Sequence, residues 1–439
     1  MVLALLCSAQ FVAVLDTTIV AVALPAIQRD LGFGPASLQW VVTAYTLAFG
    51  GLLIAGGRAG DVFGRRRLFV AGLAVFTAAS AGCGLAPSPA ALVALRAIQG
   101  AGCALMTPAA LALVTATRAP HALGAWTAAA AGGGASGWVL GGILTEHVGW
   151  EAIFFVNVPL GAAGVLLAGR LLRGGGERRP AAAARGSLDL PGAATVTAAL
   201  VALVLAFTQA GSRGFGSPVV LGTLAAAVIL LAAFAAVERR ARDPLLPLAV
   251  LGNRPFVRAN LVAAALTAAT TPAMLMSILY QQQVLGRSAT QTGLACMPFN
   301  VAVIAGSLLG GRVGGMRTGL LGVAAGSLLF STGALIPASV IMGFGLGVAS
   351  VGSTAAGTAA LPERPGLASG LLNSAAQVGT VLGVAVIVSL AAALGQGAGE
   401  PVITGYRWGF GAAALIALAG IVAQLQRRRP KRCESAYAP

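Results

Sequence analysis

The sequence predicts an all-α polytopic membrane protein of fourteen spans, on three observations. Of its 439 residues, 57% are hydrophobic and only 9% charged, whereas a soluble domain is about a quarter charged. Mean hydropathy is +0.88, carried by apolar runs of about 20 residues, the length a helix needs to cross a bilayer. The basic residues fall in the short loops between those runs, and mostly in alternate loops. Lipid offers no partners to the backbone, so the runs must be helices or a closed barrel. They are too long and too uniformly apolar for barrel strands.

In chain order the runs are 2–25, 37–57, 68–86, 90–113, 122–144 and 152–171, then 190–210 and 218–237, then 257–280, 290–310, 318–334, 336–358, 367–393 and 404–425. The first holds Asp16 as its only ionisable side chain. It lacks the basic start and clean cleavage site of a signal peptide, so it counts as a helix. A glycine- and arginine-rich turn joins the second to the third. The fourth opens after Pro89 and carries Arg96, the fifth is glycine-rich, and WEAIFFVNVPLG introduces the sixth. The stretch RLLRGGGERRPAAAARGSLD, from Arg170 to Asp189, has no apolar period and is expected to be a flexible linker. Two further spans follow it. Gly319 to Gly357 carries no charge, and its one break lies near Ile336-Pro337. Two short helices fit that stretch, and so does one re-entrant hairpin. The basic tail QRRRPKRCESAYAP is expected to hold the last helix against anionic lipid.

Charge placement sets the topology. The net charge of +16 invites a nucleic-acid reading, but there is no basic domain interleaved with aromatics. With both termini cytoplasmic, 23 of the 28 basic residues lie in inner loops and the tail, four in outer loops, and Arg96 within a span. This is a positive-inside pattern, and it requires an even number of spans. The five cysteines form no C-x-x-C pair, so neither a disulfide framework nor a metal site is indicated. There is no phosphate-binding loop, H-E-x-x-H, G-x-S-x-G or paired-carboxylate site, so no enzymatic activity and no cofactor are expected.

Several motifs carry chemistry. Exposing a charge such as Asp16 to lipid costs on the order of 3 kcal/mol or more, so the carboxylate must face protein or water. Of the 12 acids, Asp16 is the one convincingly at membrane depth. In LVALRAIQGAGCALMTP, Arg96, Gln99 and Gly100 share a helix face. Arg96 either snorkels outward or is a buried cation that tunes a carboxylate. In GGRAGDVFGRRRLF, Gly57, Gly60 and Gly64 let two helices turn within a short loop. Asp61 either caps the next helix or bonds an arginine such as Arg65. GGRAGD recurs as GGRVGG, with Gly315 at the position of the aspartate, after the second span of a later six-helix unit. Duplicated halves of this kind build alternating access. In the fifth span Gly133, Gly137 and Gly141 repeat every four residues, which admits another helix backbone to backbone. In ASGLLNSAAQVGTVLGV, Asn373 and Gln377 are either interhelical glue or cavity lining.

Together the loop signature, LDTTIVAVALP, the R-x-x-Q-G stretch and the glycine run resemble the major facilitator superfamily, and within it the fourteen-helix drug:proton antiporters. The resemblance covers nearly the whole chain. It implies a major facilitator fold, with two six-helix bundles at 1–171 and 256–425. Between them lie a cytoplasmic linker at 172–189 and two inserted helices with a basic loop at 190–255; the tail is 426–439. It implies proton coupling through Asp16 and Arg96, and a cytoplasmic latch of Gly57, Asp61, Gly64 and Arg65. It further implies a helix-packing antiporter motif of Gly133, Gly137, Gly141 and Gly142. Gln99, Trp138, Asn373 and Gln377 are candidates for the cavity wall. Two positions depart from the family pattern: Trp138 stands where a proline follows the second motif glycine, and Ala21 where asparagine is usual. The expected function is proton-driven export of drugs, antibiotics or other amphiphiles across a bacterial inner membrane. Neutral, anionic or monocationic compounds are favoured over dications, because the later helices add no acids. The expected partners are a small-molecule substrate, protons and the bilayer, with no nucleic acid and a monomeric chain. Uptake by proton symport, suggested by Trp138, and a receptor or scaffold that transports nothing are the alternatives.

Overall fold

A computed structural model describes residues 1–117, 122–171, 189–241, 244, 248–361, 365–394 and 401–425. The linker at 172–188 and the tail at 426–439 lie outside the described residues, as do the loops at 118–121 and 395–400. Every expected span is a helix. The first six passes are α1 (Val2–Leu31), α3 (Trp40–Phe63), α4 (Arg65–Gly84), α5 (Pro89–Ala116), α6 (Ala122–His147) and a broken pass made of α7 (Ala152–Phe155) and α8 (Asn157–Leu171). A short α2 (Pro35–Leu38) precedes α3. Next come α9 (Leu190–Arg213) and α10 (Pro218–Arg240), and a 3-10 turn, Leu248–Gly252. The last six passes are α11 (Arg254–Gln283), α12 (Ala289–Val313), α13 (Met316–Phe330), α14 (Leu335–Ala360), α15 (Pro365–Leu394) and α16 (Pro401–Leu425). Among the described residues, ten of these helices are long and apolar enough to cross a membrane.

The uncharged stretch from Gly319 to Gly357 is two helices. They turn at residues 331–334, where Gly333 takes a left-handed φ of 85°. They zip together through small residues: a Cβ on Gly319 would lie 2.5 Å from the Gly345 carbonyl, and one on Gly326 2.7 Å from that of Ala338. Close backbone approach is how helices associate in lipid, where apolar side chains gain nothing from leaving their solvent.

The glycines before Arg65 serve packing more than turning. Residues 56–63 continue α3 as helix, and the chain reverses at Gly64 alone, with φ 95°. A side chain on Gly56 would strike the Ala104 carbonyl of α5, and Gly57 lies near Pro108, 3.8 Å from its Cβ position. In the second copy the reversal comes at Gly314, φ 141°, directly after α12.

Two large apolar clusters lie mainly in the passes before α9: one around Phe69, Phe76, Tyr45 and Met106, the other around Ile19, Ile27, Trp150 and Phe154, which also takes in Leu275 of α11 and Val384 of α15. A third gathers side chains of α11–α16 and takes in Ala21, Val22 and Trp138 from the first passes. It therefore bridges the two groups of helices. The bridge concentrates at the end away from Met1. There the Gln282 side chain donates to the Val22 carbonyl (2.9 Å) and Gln283 to Gln28 (3.2 Å). The Thr290 amide donates to Glu146 (2.9 Å).

Candidate functional site

Asp16 lies half-way along α1 and is fully buried, so its charge must be answered by neighbours. Arg96, about 10 Å into α5 from Pro89, points inward rather than to the surface and is 1% exposed. Its Nη1 donates to Asp16 Oδ2 at 2.6 Å and to Gln99 Oε1 at 2.7 Å, and its Nε donates to the Val41 carbonyl at 3.0 Å. The guanidinium carbon sits 4.3 Å from the centre of the Tyr45 ring and 5.7 Å from that of Phe154, which places a desolvated cation against aromatic faces. The snorkelling alternative is thereby excluded.

Asp16 Oδ1 accepts two further bonds, both at 2.9 Å, from Gln99 Nε2 and Asn157 Nδ2. Asn157 also donates to Ser80 Oγ (3.1 Å), and Ser80 donates to the Phe154 carbonyl (2.9 Å). The cluster thus ties α1, α3, α4, α5, α7 and α8 together through one carboxylate. The break between α7 and α8 presents both Phe154 and Asn157 to it. Every bond to Asp16 comes from a donor.

Local sequence explains how this site can assemble. Gly100 permits α5 to touch α3, since a Cβ there would strike the Tyr45 carbonyl; that closeness lets Arg96 reach Val41. Gly133, Gly137 and Gly141 line the face of α6 on α1: side chains there would collide with the Phe11 carbonyl, with Thr18, and with the Ile19 carbonyl (2.7 Å) respectively. The stripe therefore presses α6 along the stretch of α1 that holds Asp16. Gly142 faces the other way: a Cβ there would lie 2.6 Å from the Ala289 carbonyl of α12.

The remaining candidates are dispersed. Gln99 is fully buried and bonded into the Asp16 cluster, so it belongs there rather than to a cavity wall. Trp138 is 6% exposed, in the apolar cluster that bridges the helix groups, and its carbonyl abuts Gly293 of α12. It replaces a kinking proline with a flat filler at the seam. Gln377 on α15 packs against Gly50 of α3, its Cβ 2.6 Å from the glycine's Cβ position, and Asn373 is exposed one turn before it. Arg65 is exposed beside Gly64, and the Asp61 side chain lies outside the described residues. Asn157, Ser80 and Tyr45 complete the charged cluster without having been singled out for it. Asn157 was the legible one, as the one amide within an otherwise apolar run.

A many-helix bundle with a buried ion pair in one half, and a seam between helix groups, describes a membrane carrier. The family model of the Major Facilitator Superfamily matches residues 6–315, and the chain belongs to that superfamily. It is 41% identical to the cephamycin export protein of Amycolatopsis lactamdurans over 88% of this chain and 84% of that one. It is equally 41% identical to the puromycin resistance protein of Streptomyces alboniger, over 88% and 80%. The fold matches the crystal structure of the human organic anion transporter MFSD10 with a TM-score of 0.64, at 16% identity, across 96% of this chain and 98% of that one.

Proposed function

We propose that this chain exports antibiotic-like amphiphiles by alternating access, driven by protons, with both termini cytoplasmic. Relatives named for cephamycin export and puromycin resistance support export over uptake. The positive-inside count supports the orientation. In that orientation the bonds at Val22, Gln28 and Glu146 hold the outer face closed, as the inward-facing conformer requires. Residues 1–171 and 256–425 rock as two bundles about the seam, with α9 and α10 beside them, the linker and tail on the inner side, and one chain sufficing. In the outward-facing conformer Gly57, Asp61, Gly64 and Arg65 latch the inner face.

The observation that carries the reading is the fully buried Asp16–Arg96 pair with its three donors to one carboxylate. A proton entering from outside neutralises Asp16, loosens Arg96, Gln99 and Asn157, and shifts α1 and α5. Release of that proton inside re-forms the cluster. Because Asp16 is sealed, it governs the conformational equilibrium rather than touching substrate. Substrate contacts fall to seam residues such as Asn373 and Gln377, which carry no charge; this suits neutral or singly charged compounds. The test is drug efflux in an efflux-deficient host and proton-driven uptake in everted vesicles, with a panel including a cephamycin and puromycin. Asp16→Asn is expected to reach the membrane folded, to melt below the parent because Arg96 loses its counter-ion, and to lose proton-driven transport. Normal efflux by that variant sinks the proposal.

A further inference from the structure

Helices α9 and α10 take no part in the ion-pair cluster, yet α9 touches both helix groups. Thr197 packs on Gly51 of α3, 3.0 Å from its Cβ position, and Leu200 and Val204 pack with Val381 and Ala385 of α15. Beside this junction α9, α10 and α3 enclose a lateral groove of about 540 Å³. Its walls include Ala194, Ala198, Val201 and Leu205 of α9, Leu52 of α3 and Thr223 of α10. The α9 residues form one stripe at helical spacing from Ala193 to Leu205, roughly 18 Å long at 1.5 Å per residue. One leaflet of a bilayer is roughly 15 Å deep. Ala194, Ala198 and Leu205 are exposed, so the groove opens sideways to the surrounding hydrocarbon.

One end of the groove carries charge. Glu238 Oε1 lies 2.8 Å from the Cβ position of Gly192, so the last turn of α10 sits beside the first turn of α9. Two acids there turn inward: Glu238 is buried, and Asp189 is buried and caps α9 by accepting from the Gly192 amide at 2.8 Å. The following two residues, Arg239 and Arg240, are both exposed at the same level, the headgroup end of the stripe. Long exposed arginines at the level where a leaflet-deep apolar slot ends match the two ends of an anionic phospholipid: phosphate at the rim, acyl chain below.

We propose that this groove binds one anionic phospholipid, with an acyl chain along the alanine stripe of α9 and its headgroup on Arg239 and Arg240. The chain fills the space beside the α3–α9–α15 junction, which must shear whenever the bundles rock. A deformable filler lets α3 slide past α9 without opening a void, so the bound lipid sets transport rate. The binding assignment does not depend on the identity of the exported compound or on the coupling role of Asp16; the effect on rate rests on the alternating-access reading.

Native mass spectrometry of the full-length protein with dioleoylphosphatidylglycerol and dioleoylphosphatidylcholine tests it. The parent is expected to retain one phosphatidylglycerol in clear preference to phosphatidylcholine. Ala198→Phe, which fills the slot, should lower that retention at least tenfold. The pair Arg239→Gln and Arg240→Gln should keep a bound lipid but lose the preference between headgroups. Ala194→Leu gives a milder block that does not rest on one bulky ring. Val228→Phe, on an exposed part of α10 away from the groove, should change nothing. No preference in the parent overturns the proposal, as does unchanged retention in both alanine variants. Displacement of the lipid by a transported drug also overturns it, because the groove would then be a substrate entry.

Discussion

The two helix groups share a repeated motif but are held together by different physics. In the first, α1 and α5 meet through Asp16, Arg96 and Gln99, all buried and all bonded. In the second, α14 runs from Leu335 to Ala360 without an ionisable side chain. It packs through Gly345, whose Cβ position lies 2.5 Å from the Gly319 carbonyl, and through Met342. Nearby Phe330 and Phe410 stack at 5.1 Å. Directional bonds to a carboxylate can be rewritten by one proton, whereas shape complementarity is indifferent to pH. The difference teaches where the proposed proton input can act: under that proposal the first bundle senses and the second follows.

The largest break in that contrast is Arg96→Met. It leaves Asp16 buried without its cation, and removing one partner of a buried pair costs about 3–5 kcal/mol. Thermal melting of the purified protein should show the loss, and transport should vanish. Adding Asp16→Asn should recover much of the stability, because the uncompensated charge goes too, but none of the transport. A double-mutant cycle measures the coupling. Equal melting points for Arg96→Met and the parent would mean that the pair does not cement the bundle.

On the other side, Gly345→Val should cost about 1–3 kcal/mol by overpacking, since its side chain would meet the Gly319 carbonyl and the Val323 amide (2.7 Å). The signature is a lower melting point by the same amount at pH 6 and pH 8. A pH-dependent loss would contradict the apolar, pH-blind reading of the second group.

How much of this was legible in the sequence depended on whether the signal was local. Apolar length placed the helices, because lipid leaves the backbone no other choice. Asp16 and Arg96 stood out because a charge within a span is costly anywhere, and the one acid and one base at depth do meet. The four-residue glycine period in α6 is local, but that it lies on α1 needed the fold. Context governed the rest. GGRAGDVF looked like a turn because it is rich in glycine, yet it stays helical to Phe63, since α5 presses on Gly56. Gln99 has the polarity of a cavity residue, but Asp16 claims it. Asn157 enters the cluster through the break between α7 and α8, which no periodicity announces.

A smaller effect is expected at the seam that joins the groups. Ser288 caps α12 in a capping box with Gln291, and Glu146 of α6 accepts from Thr290 in the same first turn. Bonds from Ser288 and from the Thr290 backbone hold the Glu146 carboxyl down at about 2. A depressed value means that the contact is complete above the ordinary carboxylate value of 4.5 and is lost as pH falls toward 2. The Glu146 contact is therefore complete throughout pH 5 to pH 8. Glu146→Gln should raise the fraction open on the outer face roughly two- to fivefold, the scale of one exposed helix-terminus interaction. Distance distributions between spin labels at Gly34 and Leu285 would show it. An unchanged distribution would remove Glu146 from the seam's energetics.

The smallest expected change separates filler from function at Trp138. Its ring joins Ala21, Val22, Met274 and Phe299 in the bridging cluster, while its indole Nε1 has no hydrogen-bond partner among the described residues. A buried donor left unsatisfied costs about 1–3 kcal/mol, and the phenyl ring of Trp138→Phe removes that donor at the expense of some apolar contact. These terms oppose each other, so stability should stay within about 0.5 kcal/mol of the parent, with efflux unchanged. If stability holds but efflux falls, the indole N–H must find its partner in the outward-facing conformer or on the substrate. Trp138 would then be a working residue of the carrier rather than a filler of the seam.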